Sequence, residues 1–191
     1  MKGCEKLSKY INYDYSGIED AASLLKKSKY AVVLTGAGMS TESGIPDFRS
    51  KDGWWKKIDP STVATTGALL NNYELFREFY KYRIKALENV KPNTGHYVLS
   101  EWEKKGIIKS IITQNVDGLH RFAGNKSVYE LHGTIRTVRC EACGKDGETD
   151  DFLKNKYCSE CGGILRPNVV LFGEDLPVKA LEGAIEEARK A

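Results

Sequence analysis

The sequence predicts an α/β fold: a mainly parallel sheet, interrupted by a helical insertion and by a small lobe that a metal ion holds together. Three observations predict it. Short unbroken apolar runs alternate with helical patterns, a Gly-Ala-Gly turn ends the first of those runs, and four cysteines fall as two C-x-x-C pairs. With 191 residues, 41% of them apolar, and no low-complexity tract or internal repeat, the chain can bury a core as one domain.

The elements follow in order. Residues 18–28 read as a helix with Ile18, Ala21, Ala22, Leu24 and Leu25 on one side. Residues 30–35 (YAVVLT) are a continuous apolar run, the pattern of a strand buried on both faces of a parallel sheet, and Gly36 ends it. Runs of the same kind at 107–113, 128–131 and 169–172 are expected as further strands. Between the first two strands lie an irregular stretch (50–67), a helix near 73–89 packed through Phe76, Phe79 and Tyr82, and a helix near 94–105. A last helix spans 178–190. The domain is therefore expected to be discontinuous: a sheet part of about 17–50, 93–138 and 165–191, and a small lobe of about 51–92 and 139–164.

Cys140, Cys143, Cys158 and Cys161 leave fourteen residues between the two pairs. Such pairs fold back into one tetrahedral thiolate site, the arrangement of a structural Zn²⁺. The intervening Gly144, Lys145, Asp146, Gly147 and Glu148 offer no packed core of their own, so the metal is expected to fold the lobe. Five cysteines fit four metal thiolates plus a spare Cys4 better than a disulfide framework. With no bilayer-length apolar run and no signal-peptide stretch, a cytoplasmic location is the expectation. The 29 basic and 26 acidic residues give +3, and four thiolates on one zinc would bring this to +1. That field is too weak for a nucleic-acid platform, and neither nucleic acid nor membrane is expected as a partner.

Two regions carry chemistry. Gly36, Ala37 and Gly38, followed by Ser40 and Thr41, are similar to a dinucleotide phosphate loop, where missing side chains let backbone N–H groups approach a pyrophosphate. The third small residue of the dehydrogenase fingerprint would fall on Thr41, and no strand supplies a ribose-binding acid about 20 residues on, so a dehydrogenase is disfavoured. From this motif alone, a tight turn with no ligand stays open. Gln114, Asn115 and Asp117 cluster just beyond a buried strand and suit ribose hydroxyls and a carboxamide; turn formation is the alternative. His132, at another strand end and before Gly133, would enter the same crevice as a general base. His96 and His120 read as structural.

Taken in order, 36–49 (GAGMSTESGIPDFR), 113–120 (TQNVDGLH), 130–133 (ELHG), the cysteine quartet and 166–174 (RPNVVLFGE) closely resemble the sirtuin family of NAD-dependent protein-lysine deacylases. The resemblance runs from about Ile18 to the end. It implies a Rossmann-like sheet, one structural Zn²⁺, NAD, and acylated-lysine proteins or peptides as substrates. It implies that Gly36, Ala37, Gly38, Ser40, Thr41, Asp47, Phe48 and Arg49 bind NAD, with Phe48 over the reacting ring. Asp117 and the Val116 backbone would hold the nicotinamide amide, and Gln114 and Asn115 its ribose. In the implied mechanism the acyl-lysine oxygen attacks the anomeric carbon of NAD and nicotinamide departs. His132, with Asn115 beside it, then activates a ribose hydroxyl, and O-acyl-ADP-ribose is released. Val170, Phe172 and Gly173 would form the groove where substrate backbone adds as a strand.

Tyr80 and Arg83 resemble a pair that binds succinyl- or malonyl-lysine carboxylates in one branch of that family; a solvated helix face is the plain alternative. ADP-ribosyl transfer to another acceptor is a second enzymatic reading. After Glu174 the chain forms one helix and stops where the family continues with a second half of the nucleotide fold. The resemblance thus implies C-terminal truncation and weak NAD binding by this chain alone, with an inactive NAD- or peptide-binding fragment as the alternative. Oligomeric state is not indicated.

Overall fold

The computed structural model describes residues 16–47 and 58–191. Cys4, Phe48, Arg49 and the first part of the expected irregular stretch lie outside the described residues.

A three-stranded parallel sheet carries β1 (Val32–Thr35), β2 (Ser110–Thr113) and β3 (Val128–Glu130), in the order β1-β2-β3. Thr35 pairs with Thr113 and Thr113 with Glu130, so all three strands end at one level. The residues that follow, Gly36, Gln114 and Leu131, therefore leave the sheet along a single edge, where open α/β sheets bind ligands. β2 is buried throughout. β1 is not: Leu34 is 64% exposed, which corrects the expectation of burial on both faces, because among the described residues β1 is an edge strand. The helices α1 (Ser16–Lys27), α5 (Thr94–Lys104), α6 (Leu119–Phe122) and α8 (Val178–Lys190) belong to this half. α8 lies so close to β3 that a Cβ at Gly183 would overlap the Tyr129 ring.

A second sheet is antiparallel, with β4 (Gly133–Cys140) flanked by β5 (Asp146–Gly147) and β6 (Leu165–Val169) in the order β5-β4-β6. The run 169–172 was expected as a parallel strand and is not one. Residues 165–169 instead return along β4, with Arg139 opposite Arg166 and Cys140 opposite Leu165, and only an isolated Thr65–Phe172 bridge continues beyond. A short apolar run does not encode strand direction, and here the loop closed by the cysteines brings the chain back antiparallel.

The described part of the irregular stretch holds two short helices, α2 (Pro60–Val63) and α3 (Thr66–Asn71). Asp59 caps the first through Ser61 N–H at 2.9 Å, and Thr65 the second through Ala68 N–H at 2.9 Å. α4 (Tyr73–Ala86) follows, and α7 (Thr149–Leu153) sits among the cysteines. Phe76, Phe79 and Tyr80 of α4 pack with Val138, Phe152, Leu165 and Leu171, so the helical insertion and the second sheet share one core. Tyr82, expected in that core, is 62% exposed; the 3.6-residue period carries it past Phe79 toward exposed Glu78, away from Phe76 and Tyr80. Among the described residues no helix is long and apolar enough to cross a membrane.

Candidate active site and metal centre

The ends of β1, β2 and β3 open onto a cleft of about 530 Å³. It is lined by Ala37, Gly38, Ser40, Asp47 and Gln114 to Asp117, by His132, Val170, Phe172 and Gly173, and by Tyr80 and Arg83 of α4. Gly36 and Thr41 stand back from it. Gly36 offers its carbonyl to Asn115 Nδ2 at 2.9 Å, and Thr41 is exposed, its hydroxyl donating to the Gly38 carbonyl. A Cβ added at Gly36 or Gly38 would meet nothing within 4 Å, so this turn leaves open space against its backbone, as a phosphate loop must.

The polar groups around Asn115 and Asp117 are mutually fixed. Ser40 Oγ donates to Asp117 Oδ2 at 2.7 Å, and the Leu119 N–H donates to Asp117 Oδ1 at 2.9 Å. Asn115 Nδ2 donates to both the Gly36 carbonyl and Ser40 Oγ. With its N–H groups committed, what Asn115 offers a ligand is the Oδ1 acceptor, which suits a ribose hydroxyl. Asn115, Asp117 and Ser40 are all buried.

His132 follows β3 in the turn that leads into β4. Its Nδ1 lies 2.9 Å from the Gln114 carbonyl oxygen. A carbonyl only accepts, so Nδ1 carries the hydrogen and the neutral ring keeps its lone pair on Nε2. The turn is held from the other side too: Val170 N–H donates to the His132 carbonyl at 2.9 Å. Gly133 has φ 70°, and a Cβ there would overlap the Asn168 carbonyl oxygen, so this position requires glycine twice over.

Sequence reasoning missed Arg136. Its Nε donates to the Asp117 carbonyl at 2.8 Å and its Nη1 to the Leu87 carbonyl at 3.1 Å, while Phe122 lies 4.8 Å from the guanidinium. It thereby ties the cofactor-side loop to the end of α4. No sequence signal marks it, because both acceptors are backbone atoms far away along the chain.

His96 and His120 stay out of the cleft. His96 forms a reciprocal capping box with Asn93 at the start of α5. His120 Nε2 lies 2.9 Å from Thr35 Oγ1, which donates to Thr113 Oγ1, which in turn accepts from Asn115 N–H. This buried chain braces the end of β2. Burial, then the neighbouring His96, push His120 down to about 4 against the pull of Asp117, so the ring is neutral at pH 7.

Arg83 stacks over the Phe79 and Tyr80 rings at 5.5 and 5.7 Å. Tyr80 itself is 2% exposed. Burial lowers the Arg83 guanidinium and raises the Tyr80 phenol. The pair is therefore not a solvated helix face.

The four cysteine sulfurs all lie within 4.8 Å of one another. Cys140 and Cys161 are 3.5 Å apart, Cys143 and Cys158 3.8 Å. A tetrahedral ion with bonds of about 2.3 Å would set its sulfurs roughly 3.8 Å apart, so the cluster fits Zn²⁺. Both halves repeat one backbone pattern: Cys140 N–H donates to Lys145 and Gly144 N–H to Cys140, just as Cys158 N–H donates to Gly163 and Gly162 N–H to Cys158. The Cys143 N–H, helped by the Cys161 thiol, holds Cys140 down to about 7, although burial opposes it. The Gly163 N–H lowers Cys161, but the other three sulfurs outweigh it and push it up to about 12. A bound cation would replace the thiol protons. Four protein ligands fill a tetrahedron, so the site is structural and has no open position for chemistry.

Residues 36–191 match the Sir2 family. An NAD-dependent protein deacetylase of Oceanobacillus iheyensis is 50% identical over 168 residues, 87% of this chain and 71% of that protein. An NAD-dependent protein deacylase of Pyrococcus furiosus is 48% identical over 180 residues, 90% of this chain and 72% of that one. Among solved structures, a Sir2 homologue–NAD complex superposes with a TM-score of 0.83 at 42% identity, over 91% of this chain and 69% of that chain. A Sir2 complex with a deacetylated peptide and 3′-O-acetyl ADP-ribose gives 0.85 at 39% identity, over 90% and 72%.

Proposed function

The chain belongs to the Sir2 family, and from that premise we propose that it removes acyl groups from protein lysines with NAD as co-substrate, His132 Nε2 being the base. One observation carries the reading: a histidine whose lone pair is fixed on Nε2 lines the same cleft as Asn115, Asp117 and an open glycine turn. These residues fit NAD. The Gly36–Gly38 backbone would take the phosphates, Asn115 Oδ1 a ribose hydroxyl, and Asp117 with the Val116 backbone the carboxamide. NAD, when bound, supplies an electrophilic ribose carbon with nicotinamide as leaving group. His132 Nε2 accepts a hydroxyl proton there while Nδ1–H stays on the Gln114 carbonyl, so the ring does not rotate as its charge changes. The substrate strand would lie along Val170, Phe172 and Gly173, which line the same cleft.

The position of Arg83 on the cleft wall favours a second, finer reading, in which an acyl chain ending in a carboxylate is accepted beside acetyl. Arg83→Met would then lower activity on succinyl-lysine far more than on acetyl-lysine; equal losses would remove this role. Four cysteines grouped as metal ligands, with no disulfide between them, support a cytoplasmic setting.

The main test is product analysis with an acetyl-lysine peptide and NAD. The expected products are nicotinamide, free lysine peptide and O-acetyl-ADP-ribose, and His132→Ala should slow deacylation by roughly 10²-fold or more. Near-normal deacylation by a folded, zinc-loaded variant would refute the assignment, and transfer of ADP-ribose to another acceptor would replace it.

A further inference from the structure

A fully buried cation holds residues of the substrate groove loop. Arg166, on β6, has a side chain with no exposure. Its Nη1 reaches Glu174 Oε1, and its Nη2 donates to Glu174 Oε2 at 2.9 Å and to the Val169 carbonyl at 2.6 Å. Glu174 in turn closes the groove loop on itself. Its Oε2 accepts from Leu171 N–H at 2.8 Å, and its own N–H donates to the Leu171 carbonyl at 3.0 Å. The loop is tied to the helical insertion through Phe172 N–H and the Ala64 carbonyl at 2.9 Å. The second acid on Arg166 is Glu141, at 3.3 Å, the residue immediately after Cys140 of the metal centre.

We propose that Arg166 is a positioning residue for the acyl-peptide groove, fixing Leu171 to Gly173 in one conformation through its two-pronged hold on Glu174. The proposal rests on the reading of that loop as the substrate strand's partner. A buried ion pair adds little net stability over well-packed apolar side chains, so stability alone does not account for the fork. What a planar guanidinium adds is direction: both Glu174 oxygens are held in one plane, and the Leu171 N–H is drawn to one of them. Burial disfavours the Glu174 carboxylate, but Arg166 and the Leu171 N–H outweigh that penalty and hold it below the ordinary carboxylate range. The fold thus favours the charged form of the carboxylate that organises the loop. Arg166 does not itself line the cleft and acts through Glu174 and the Val169 carbonyl.

The test uses the zinc-loaded chain, with Arg166→Met and Glu174→Gln as variants. Glu174→Gln keeps the side-chain length and replaces one acceptor with a donor, so it breaks the fork without emptying the site. Zinc content reports folding, hydrogen exchange at the Leu171 amide reports the loop without any ligand, and steady-state kinetics separate the KM for an acetyl-lysine peptide from that for NAD. The expected result is retained zinc, Leu171 exchange and peptide KM both raised by about tenfold or more, and an unchanged NAD KM. Unaltered Leu171 exchange in either folded variant would overturn the role of Arg166. Faster exchange with an unchanged peptide KM would overturn the groove assignment and the proposal with it. An equal rise in both KM values would mean general loosening and would also reject positioning. If Arg166→Met loses its zinc, Glu174→Gln decides.

Discussion

His132 and His120 carry the same side chain into opposite roles, and the atoms around each ring decide which. His132 has one nitrogen on a carbonyl and the other toward the cleft, whereas His120 spends Nε2 on Thr35 deep in the packing. The pH dependence follows from His120. Its folded pKa of about 4 lies below the ordinary 6.5. Between those values the unfolded chain binds a proton that the folded chain refuses. Stability is therefore full above pH 6.5, falls as the pH drops, and levels off near 4, a loss of at most roughly 3 kcal/mol. Urea unfolding at pH 7 and pH 4.5 should show a shallower pH dependence in His120→Gln than in the parent; identical slopes would show that another group refuses the proton. Gly133→Ala tests the clamp on His132. The new Cβ must displace Asn168 and β6, so deacylation should fall about as far as in His132→Ala although the base is intact. A folded Gly133→Ala enzyme with full activity would show that the turn tolerates the shift.

At the scale of elements, the legible features are those whose chemistry fixes a spacing. Zinc needs two C-x-x-C turns, so the metal centre could be read directly, and the strand ends at Gly36, Gln114 and His132 were marked by glycine and polar residues after apolar runs. The caps Asp59-Pro60 and Thr65 were legible as well, but the sequence reading treated that stretch as irregular. Strand direction at 165–172 was not legible, and neither were Arg136 and Arg166, whose partners are backbone carbonyls and acids brought close only by the finished fold. Gly163 adds a constraint that ligand spacing does not reveal. A Cβ there would sit 2.9 Å from Cys140 Sγ and 3.2 Å from Cys161 Sγ. Gly163→Ala should therefore expand the thiolate tetrahedron and yield its zinc to a competing chelator at about tenfold lower concentration, while Cys158→Ala should lose the metal outright. Parent-like zinc affinity in Gly163→Ala would mean that the sulfurs relax around the methyl group without cost.

Across the whole molecule, the cleft separates two cores of different origin. Phe76, Phe79, Val138, Phe152, Leu165 and Leu171 form one contiguous cluster that includes Cys140 and Cys158, whereas Ile108, Ile111 and Leu119 of the parallel sheet lie outside it. Structural zinc is worth on the order of 10 kcal/mol in zinc-finger peptides, comparable to the entire stability of a typical domain. Removing it should therefore open more than the cysteine turns. Because α4 shares its core with the metal lobe, chelation should strip protection from the Phe76 and Tyr80 amides, and with them the groove at Leu171. The β2 amides of Ile111 and Ile112 should stay protected, since their packing owes nothing to the metal. Ser40, Asn115 and Asp117 would then keep their mutual hydrogen bonds while the substrate side of the cleft dissolves. Hydrogen exchange before and after chelation checks this. Persistent protection in α4 after complete zinc loss would show that apolar packing alone holds the lobe, and simultaneous loss in β2 would show that both cores unfold as one unit.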